Sequence, residues 1–522
     1  LAVIGINLLL LLGLVGIIKL ATRSMKGSLS EEEMEAHLAS AANVVRTSAG
    51  LVEGVRLTAH GVTLHAFYGI PFAEPPTGAN RFALPKRKAA FKTAFMAKEL
   101  RAECPQLSYI LNNKSINASG WSEDCLHLNL WTPNLSHQPH TNLSHSNRSL
   151  RAVVVFLHGG GFQNGANNLK VYDGRHFAAL GNVIVVVPNY RLGIFGFLYA
   201  DGNRAPGNQG LWDQRLALLW VRDNVRAFGG DPDRVTLMGQ SAGSVSVGYH
   251  VLSPVTRGLF HRAIMLSGSP FYKVEEKRIA GPWRAKKLAS QLCGSPLDKV
   301  TEANAVDCLR QQSAQKLLRE VQQLLGTKPA SFVPTFGDRL LPQDPLVMVF
   351  DGTTQPVDLL AGIVENEGSY FLLELYRAMG VNDPFRMSPS QHLVIMKQLM
   401  EYALWEAPPE LVESMLVNVR EGTSTPDVVR YISEGIGDLA MRCPMLYFSE
   451  LLTSFNSSVY CYEFGYHPEK GSFRPPWMGV THFDEFPFVW GYVFDRPELA
   501  SFKDREYSER MIRLWSSFVN NG

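Results

Sequence analysis

Gly239-Gln240-Ser241-Ala242-Gly243 constrains the fold of this chain more than any other stretch. It reads G-x-S-x-G. Val235 to Met238 before it is a short apolar run of strand type, and Ser244 to Leu252 after it has the composition of a helix. A serine between small residues at a strand-to-helix turn can sit on a strained elbow. The glycines let strand and helix close on each other, and the hydroxyl projects out of the sheet. The pentapeptide alone says little, because Gly and Ser are common. Its meaning depends on what the rest of the chain supplies.

The surrounding chain alternates strands and helices. Ala152 to Leu157 and Asn182 to Val187 are continuous apolar strands, and Leu359 to Val364 and Val459 to Phe464 supply two more. Gly210 to Phe228 reads as a helix carrying Trp212, Leu216, Leu219 and Trp220. This alternation predicts an α/β fold, with a large, mostly parallel sheet covered on both faces. Val44 to Leu51 and Val55 to Leu64 alternate as one antiparallel hairpin would. Pro282 to Leu325 is expected to be helical with a charged surface, and Pro384 to Met415 to be helical and part of a cap. With 522 residues, 46% hydrophobic and 19% charged, the chain can bury a large core, and global disorder is excluded. A formal net charge of +2 gives no bias toward nucleic acid. No internal repeat and no zinc-like Cys/His spacing is present, so neither a metal nor a cofactor is expected.

Two signals concern compartment. Leu1 to Ile18 is almost wholly apolar and is followed by Lys19, Arg23 and Lys26. It is long enough for a signal-anchor, the alternative being a cleaved signal peptide. Residues 1–20 are read as this segment, 21–42 as a stalk, and 43–522 as the globular domain. The basic residues alone would keep the domain in the cytoplasm. Asn113, Asn117, Asn134, Asn142, Asn147 and Asn456 begin N-x-S/T sequons, and the first five cluster in a polar stretch. Six cysteines fall into three near couples, Cys104/Cys125, Cys293/Cys308 and Cys443/Cys461. Sequons and paired cysteines together place the domain in the secretory pathway, on the lumenal or extracellular side if anchored and secreted if cleaved.

A serine nucleophile needs a base, a group that orients the base, and donors for the oxyanion. His158-Gly159-Gly160-Gly161-Phe162 follows the strand that ends at Leu157. Its consecutive glycines bring backbone N–H groups close to a substrate oxygen, so Gly160 and Gly161 are the expected donors, joined by the N–H of Ala242. Val364-Glu365-Asn366-Glu367-Gly368-Ser369 lies at the C-terminal end of a strand, where sites gather in open α/β sheets. Two acids compete there, and Glu367 is favoured because it directly precedes the Gly-Ser turn. Of 14 histidines, His482 lies in a loop among aromatics and after both Ser241 and the acid. The order Ser…Glu…His is that of α/β-hydrolases.

With these residues in place the chain resembles a type-B carboxylesterase of the cholinesterase-like α/β-hydrolase group. The matching stretches are Tyr68 to Ala73, Glu123 to Leu126, His158 to Phe162, Asn189 to Arg191, Phe228 to Pro232, Gly239 to Gly243, Asn366 to Ser369 and the His482 loop. The resemblance runs from about Val44 to the end. It implies Ser241 as nucleophile, Glu367 as orienting acid and His482 as general base, acting on a small-molecule carboxylic ester. It also implies an ion pair between Arg81 and Glu123 and supports the Cys104–Cys125 and Cys293–Cys308 bridges. Cys443 pairs, in cholinesterases, with a cysteine near the C-terminus. Here Cys461 is the nearer candidate, and a final helix beyond Gly522 is expected to be missing.

Departures from the resemblance narrow the substrate. Cholinesterases carry Glu before the nucleophile, where this chain has Gln240. Their choline-binding Trp, about ten residues before the Cys of Glu-Asp-Cys, falls on Ser115. Both changes argue against choline esters, since a quaternary ammonium wants aromatic faces and negative charge. Gly-Gln-Ser-Ala-Gly, Arg81-Phe82, Asp213-Gln214 and Gly479-x-x-His482-x-x-Glu485 also resemble the motifs of juvenile hormone esterases. Tyr370 and Phe371 are expected to line the pocket, and the loop Ala330 to Pro342 to shape its acyl side. Rival readings are a neuroligin-like adhesion domain without catalysis, and a lipase.

Overall fold

The computed structural model describes residues 43–106, 120–133, 135, 150–271, 275–325, 332–352, 354–381, 383–394, 422–470 and 474–522. Nine strands form the central sheet: β1 (Val55–Ala59), β2 (Val62–Pro71), β3 (His127–Thr132), β4 (Arg151–Leu157), β5 (Ile184–Pro188), β6 (Gly230–Gln240), β7 (Arg262–Leu266), β8 (Asp358–Val364) and β9 (Val459–Phe464). They lie in the order β9-β8-β7-β6-β4-β5-β3-β2-β1. From β9 to β5 every pairing is parallel. From β5 to β1 every pairing is antiparallel. The parallel strands run as unbroken apolar sequence because both faces are covered, so no position is left for a polar alternate. In β5 all residues are buried.

Side chains alternate across the sheet and build two cores. Val153, Val155 and Leu157 of β4 pack on the face covered by α2 (Gln209–Asn224) and α3 (Ala242–Leu252). Ala152, Val154 and Phe156 pack on the opposite face, against α1 (Arg175–Gly181) and the helix Phe502–Asn521. α4 (Lys277–Cys293), α5 (Glu302–Gln311) and α6 (Ala314–Leu325) follow β7. A third, smaller core joins α7 (Glu367–Ala378) to α8 (Thr425–Gly437). Beyond it, α9 (Cys443–Thr453) returns to the first core, and Phe502–Asn521 is α10.

Some expectations change. The single N-terminal hairpin is two: Val44–Thr47 pairs with Gly50–Glu53, and β1 pairs with β2. The second turns at His60-Gly61, whose φ values of 50° and 74° suit a tight two-residue turn. The break between them falls at Gly54, where a Cβ would lie 2.5 Å from the Ala66 carbonyl oxygen. The Pro282 to Leu325 stretch is three helices, with Thr301 capping α5 by accepting the Asn304 N–H. Of Pro384 to Met415, Pro384–Arg386 is a single tight turn and 389–394 is helical. Residues 395–415 lie outside the described residues. So do the apolar N-terminal segment, the stalk and five of the six sequons. Among the described residues no helix is long and apolar enough to cross a membrane. Asn456 is exposed, just before β9.

Disulfides join Cys104 to Cys125 and Cys293 to Cys308. Cys443 and Cys461 do not pair; both are exposed free thiols. Tyr460 and Tyr462 of β9 face α10 through Phe518 and Trp515, so Cys461 points to the other side of the sheet. There Arg442 reaches Glu463 at 2.9 Å. Cys443 follows Arg442 on the helix and is turned about 100° away from that contact. Arg81 donates from Nε to Glu123 at 2.6 Å, and its Nη1 donates to the carbonyls of Leu309, Arg310 and Gln312 at the end of α5.

Candidate active site

The site collects at the carboxyl ends of the parallel strands, where an open α/β sheet leaves a crevice. β6 ends at Gln240 and α3 starts at Ala242. Ser241 between them has φ 56° and ψ −124°. A non-glycine residue in that region carries strain of about 1–3 kcal/mol and persists only where its surroundings hold it. Here the Ser241 N–H donates to the Leu266 carbonyl at 2.8 Å, and its carbonyl accepts the Val245 N–H at 2.9 Å. Small neighbours are obligatory. A Cβ on Gly239 would lie 2.2 Å from the Gly243 carbonyl oxygen, and one on Gly243 would lie 2.0 Å from that of Leu157. Ser241 itself is only half-buried, while Gln240 and Ala242 are buried.

The glycine loop follows β4 directly. Gly160 and Gly161 have φ of 115° and 60°. The Gly160 carbonyl accepts the N–H groups of Gln163 and Asn164, which folds the loop back on itself. A Cβ on Gly159 would lie 3.1 Å from Ser241 Cβ, so the loop sits against the elbow. Around Gly161 the same position is open, with no atom within 4 Å. Ala242 is the first residue of α3, and a helix leaves the N–H of its first turn without an intrahelical acceptor. His158 is fully buried against Tyr190, and burial pulls its imidazole down to about 4. It is a neutral structural ring.

The candidate acid and base sit on two interlocked loops. Glu367 opens α7 and His482 follows β9. Asn366 donates its N–H to the Val480 carbonyl and accepts the Val480 N–H on Oδ1. Ser369 Oγ donates to the Met478 carbonyl at 2.8 Å. Gly479 has φ 61°, and a Cβ there would strike the Asn366 side chain. This lock places His482 Nδ1 2.6 Å from Glu367 Oε2, with both side chains buried. The other Glu367 oxygen accepts the Val364 N–H at 3.0 Å. The competing acid, Glu365, is half exposed and faces His467 at 3.9 Å. His482 Nε2 lies 3.4 Å from Gln240 Nε2, beside the nucleophile candidate. Among the described residues Ser241 Oγ and His482 are not hydrogen-bonded to each other. Such contacts commonly tighten only once substrate is bound.

The walls are aromatic. The rings of Tyr370 and Phe371 lie 5.7 and 5.1 Å from the His482 ring, centroid to centroid. The Phe332 carbonyl accepts Gln163 Nε2, so the 332–342 stretch abuts the glycine loop. Arg474 and Asp484 also belong to the site, and no spacing in the sequence marks them; Glu485, marked by its place in Gly479-x-x-His482-x-x-Glu485, belongs to it too. Glu485 is fully buried, and burial reinforced by the Glu367 charge pushes its carboxyl up to about 8. It accepts Ser267 Oγ at 3.3 Å. Burial also raises Asp484, to about 6. Among the described residues no group of His, Cys, Asp and Glu could hold a metal.

A sheet of this order, with an elbow at its centre and side chains gathered at its strand ends, is an α/β-hydrolase fold. Its chemistry is that of a carboxylic ester hydrolase, because the chain belongs to the carboxylesterase family, whose model matches residues 41–522. It is 34% identical to acetylcholinesterase-1 of Trittame loki over 493 residues, 92% of this chain and 86% of that protein. It is 35% identical to the acetylcholinesterase of Bungarus fasciatus over 491 residues, 92% of this chain and 78% of that one. The acetylcholinesterase of Electrophorus electricus is 33% identical over 533 residues.

Proposed function

We propose that this esterase works through an acyl-enzyme on Ser241, with His482 as base and Glu367 orienting it, and that its substrates are small carboxylic esters other than choline esters. The buried 2.6 Å contact between His482 Nδ1 and Glu367 Oε2 carries the reading. It fixes the imidazole with Nδ1–H toward the carboxylate and the Nε2 lone pair toward the elbow, the tautomer a general base requires. Ser241 Oγ attacks the ester carbonyl carbon as its proton passes to His482 Nε2. The tetrahedral oxyanion takes hydrogen bonds from the N–H groups of Gly160, Gly161 and Ala242, each worth about 3–4 kcal/mol by analogy with similar donors. The carbon–alkoxide bond then breaks, and the alcohol leaves with the proton from His482. Water adds to the acyl-enzyme by the same route, releasing the acid and restoring Ser241.

Gln240 supports the exclusion of choline. Its side chain is buried against His482, and it brings a neutral amide where a carboxylate would attract a quaternary ammonium. The two disulfides and the exposed Asn456 sequon fit passage through the secretory pathway, with the membrane attachment of residues 1–18 as part of the same proposal. Ser241→Ala should abolish turnover of p-nitrophenyl esters by the purified protein. Retained turnover would overturn the assignment of the nucleophile.

A further inference from the structure

Two hydroxyls stand between the Glu367 and His482 loops. Ser369 lies in the first turn of α7, two residues after Glu367, and Thr481 directly precedes His482. Their oxygens are 2.6 Å apart, and both side chains are buried. Ser369 Oγ is also 2.8 Å from the carbonyl oxygens of Asn366 and Met478. A hydroxyl has one proton to donate and two lone pairs that accept. Ser369 therefore donates to one of the two carbonyls and accepts from Thr481. Among the described residues Ser369 is the one partner of the Thr481 hydroxyl.

The rest of Thr481 is held by its own turn. Its N–H donates to Asp484 Oδ2 at 2.9 Å, and its carbonyl accepts the Asp484 N–H at 2.9 Å. Those bonds shape the His482 loop but do not reach α7. Asn366 and Val480 join the two segments one residue before Glu367 and two before His482. The hydroxyl pair joins them at the residue next to His482. A buried hydroxyl left without its partner is unfavourable, so the pair holds as a unit.

We propose that Ser369 is a positioning residue that acts through Thr481: the hydroxyl pair holds the His482 ring at the spacing from Glu367 that the base needs. The inference rests on His482 and Glu367 being the base and its orienting acid. It adds that their geometry is set in part by two side chains that take no part in proton transfer.

The test follows kcat and KM for p-nitrophenyl butyrate in variants of the pair. Active sites are counted by fluorophosphonate titration, so that misfolded protein lowers the count and not kcat. Thr481→Val keeps the shape and removes the hydroxyl; Thr481→Ser keeps the hydroxyl and removes a methyl group. Thr481→Val and Ser369→Ala should each lower kcat about tenfold, the scale of a small misplacement of a catalytic group, with KM little changed. Thr481→Ser should retain most of kcat, whatever it loses in melting temperature. The double variant, Ser369→Ala with Thr481→Val, should lose no more than either single one, because both remove the same contact. Wild-type kcat in Thr481→Val, a loss in Thr481→Ser as large as in Thr481→Val, or losses that multiply in the double variant would each overturn the inference while leaving the triad standing. Turnover by Ser241→Ala, measured per total protein, is the other failure: it removes the reading on which the inference rests.

Discussion

The floor of the site and its wall are held by different means. The floor is backbone. Ser241 is fixed by hydrogen bonds to Leu266 and Val245, and the Glu367 and His482 loops are pinned to each other through Asn366 and Val480. The glycines at 239, 243 and 479 are there because neighbouring main chain or a locked side chain fills the space of a Cβ. The wall is side chain. Tyr370 and Phe371 meet His482 and each other through their rings, and the Arg474 guanidinium lies over the Tyr370 ring. A floor built this way tolerates little change, while a wall built this way can be altered without moving Ser241. That contrast shows where a chain 33–35% identical to proteins named acetylcholinesterase could share their family and still carry the substrate preference proposed above, in the wall and not in the floor.

The contrast can be broken or sharpened by experiment. The largest effect belongs to the floor. Glu367→Gln keeps the size of the side chain but favours the wrong tautomer of His482, and kcat should fall by about 10³–10⁴-fold, as in comparable triads. A loss of less than tenfold would mean that Glu367 does not orient the base. A separate effect is on stability. The folded pKa of Glu485 is raised from 4.5 to about 8, so the folded protein holds a proton there that the unfolded chain gives up. Its contribution is fully present below about pH 4.5 and is lost as pH rises through 8. Glu485→Gln should therefore flatten the fall in melting temperature between pH 5 and pH 8, roughly the window of that shift. Parallel melting curves for the two proteins would show that Glu485 is not held neutral.

Much of the floor was legible before any coordinates. The elbow announces itself because small residues are forced wherever main chain approaches main chain. Glu367 could be preferred to Glu365 because it stands past the strand end, at the turn into a helix. In the structure β8 stops at Val364, Glu365 faces outward and Glu367 opens α7. The wall was only half legible. Tyr370 and Phe371 follow the acid on its own helix, so their place could be read from spacing. Arg474 reaches Tyr370 from another loop, and that contact exists only after two distant segments have docked. The burial of Glu485 is likewise a property of the packed site. The expected Cys443–Cys461 bridge failed for a related reason: nearness in sequence says nothing about which side of a helix or strand each residue faces.

Covalent capture of the nucleophile tests the central claim most directly. Purified protein is treated with a fluorophosphonate, digested, and the modified residue located by mass spectrometry. One adduct on Ser241 is expected, lost in Ser241→Ala and slowed at least a hundredfold in His482→Ala, about the scale of general-base catalysis. Labelling at another residue, or a rate on Ser241 indifferent to His482, would contradict the account.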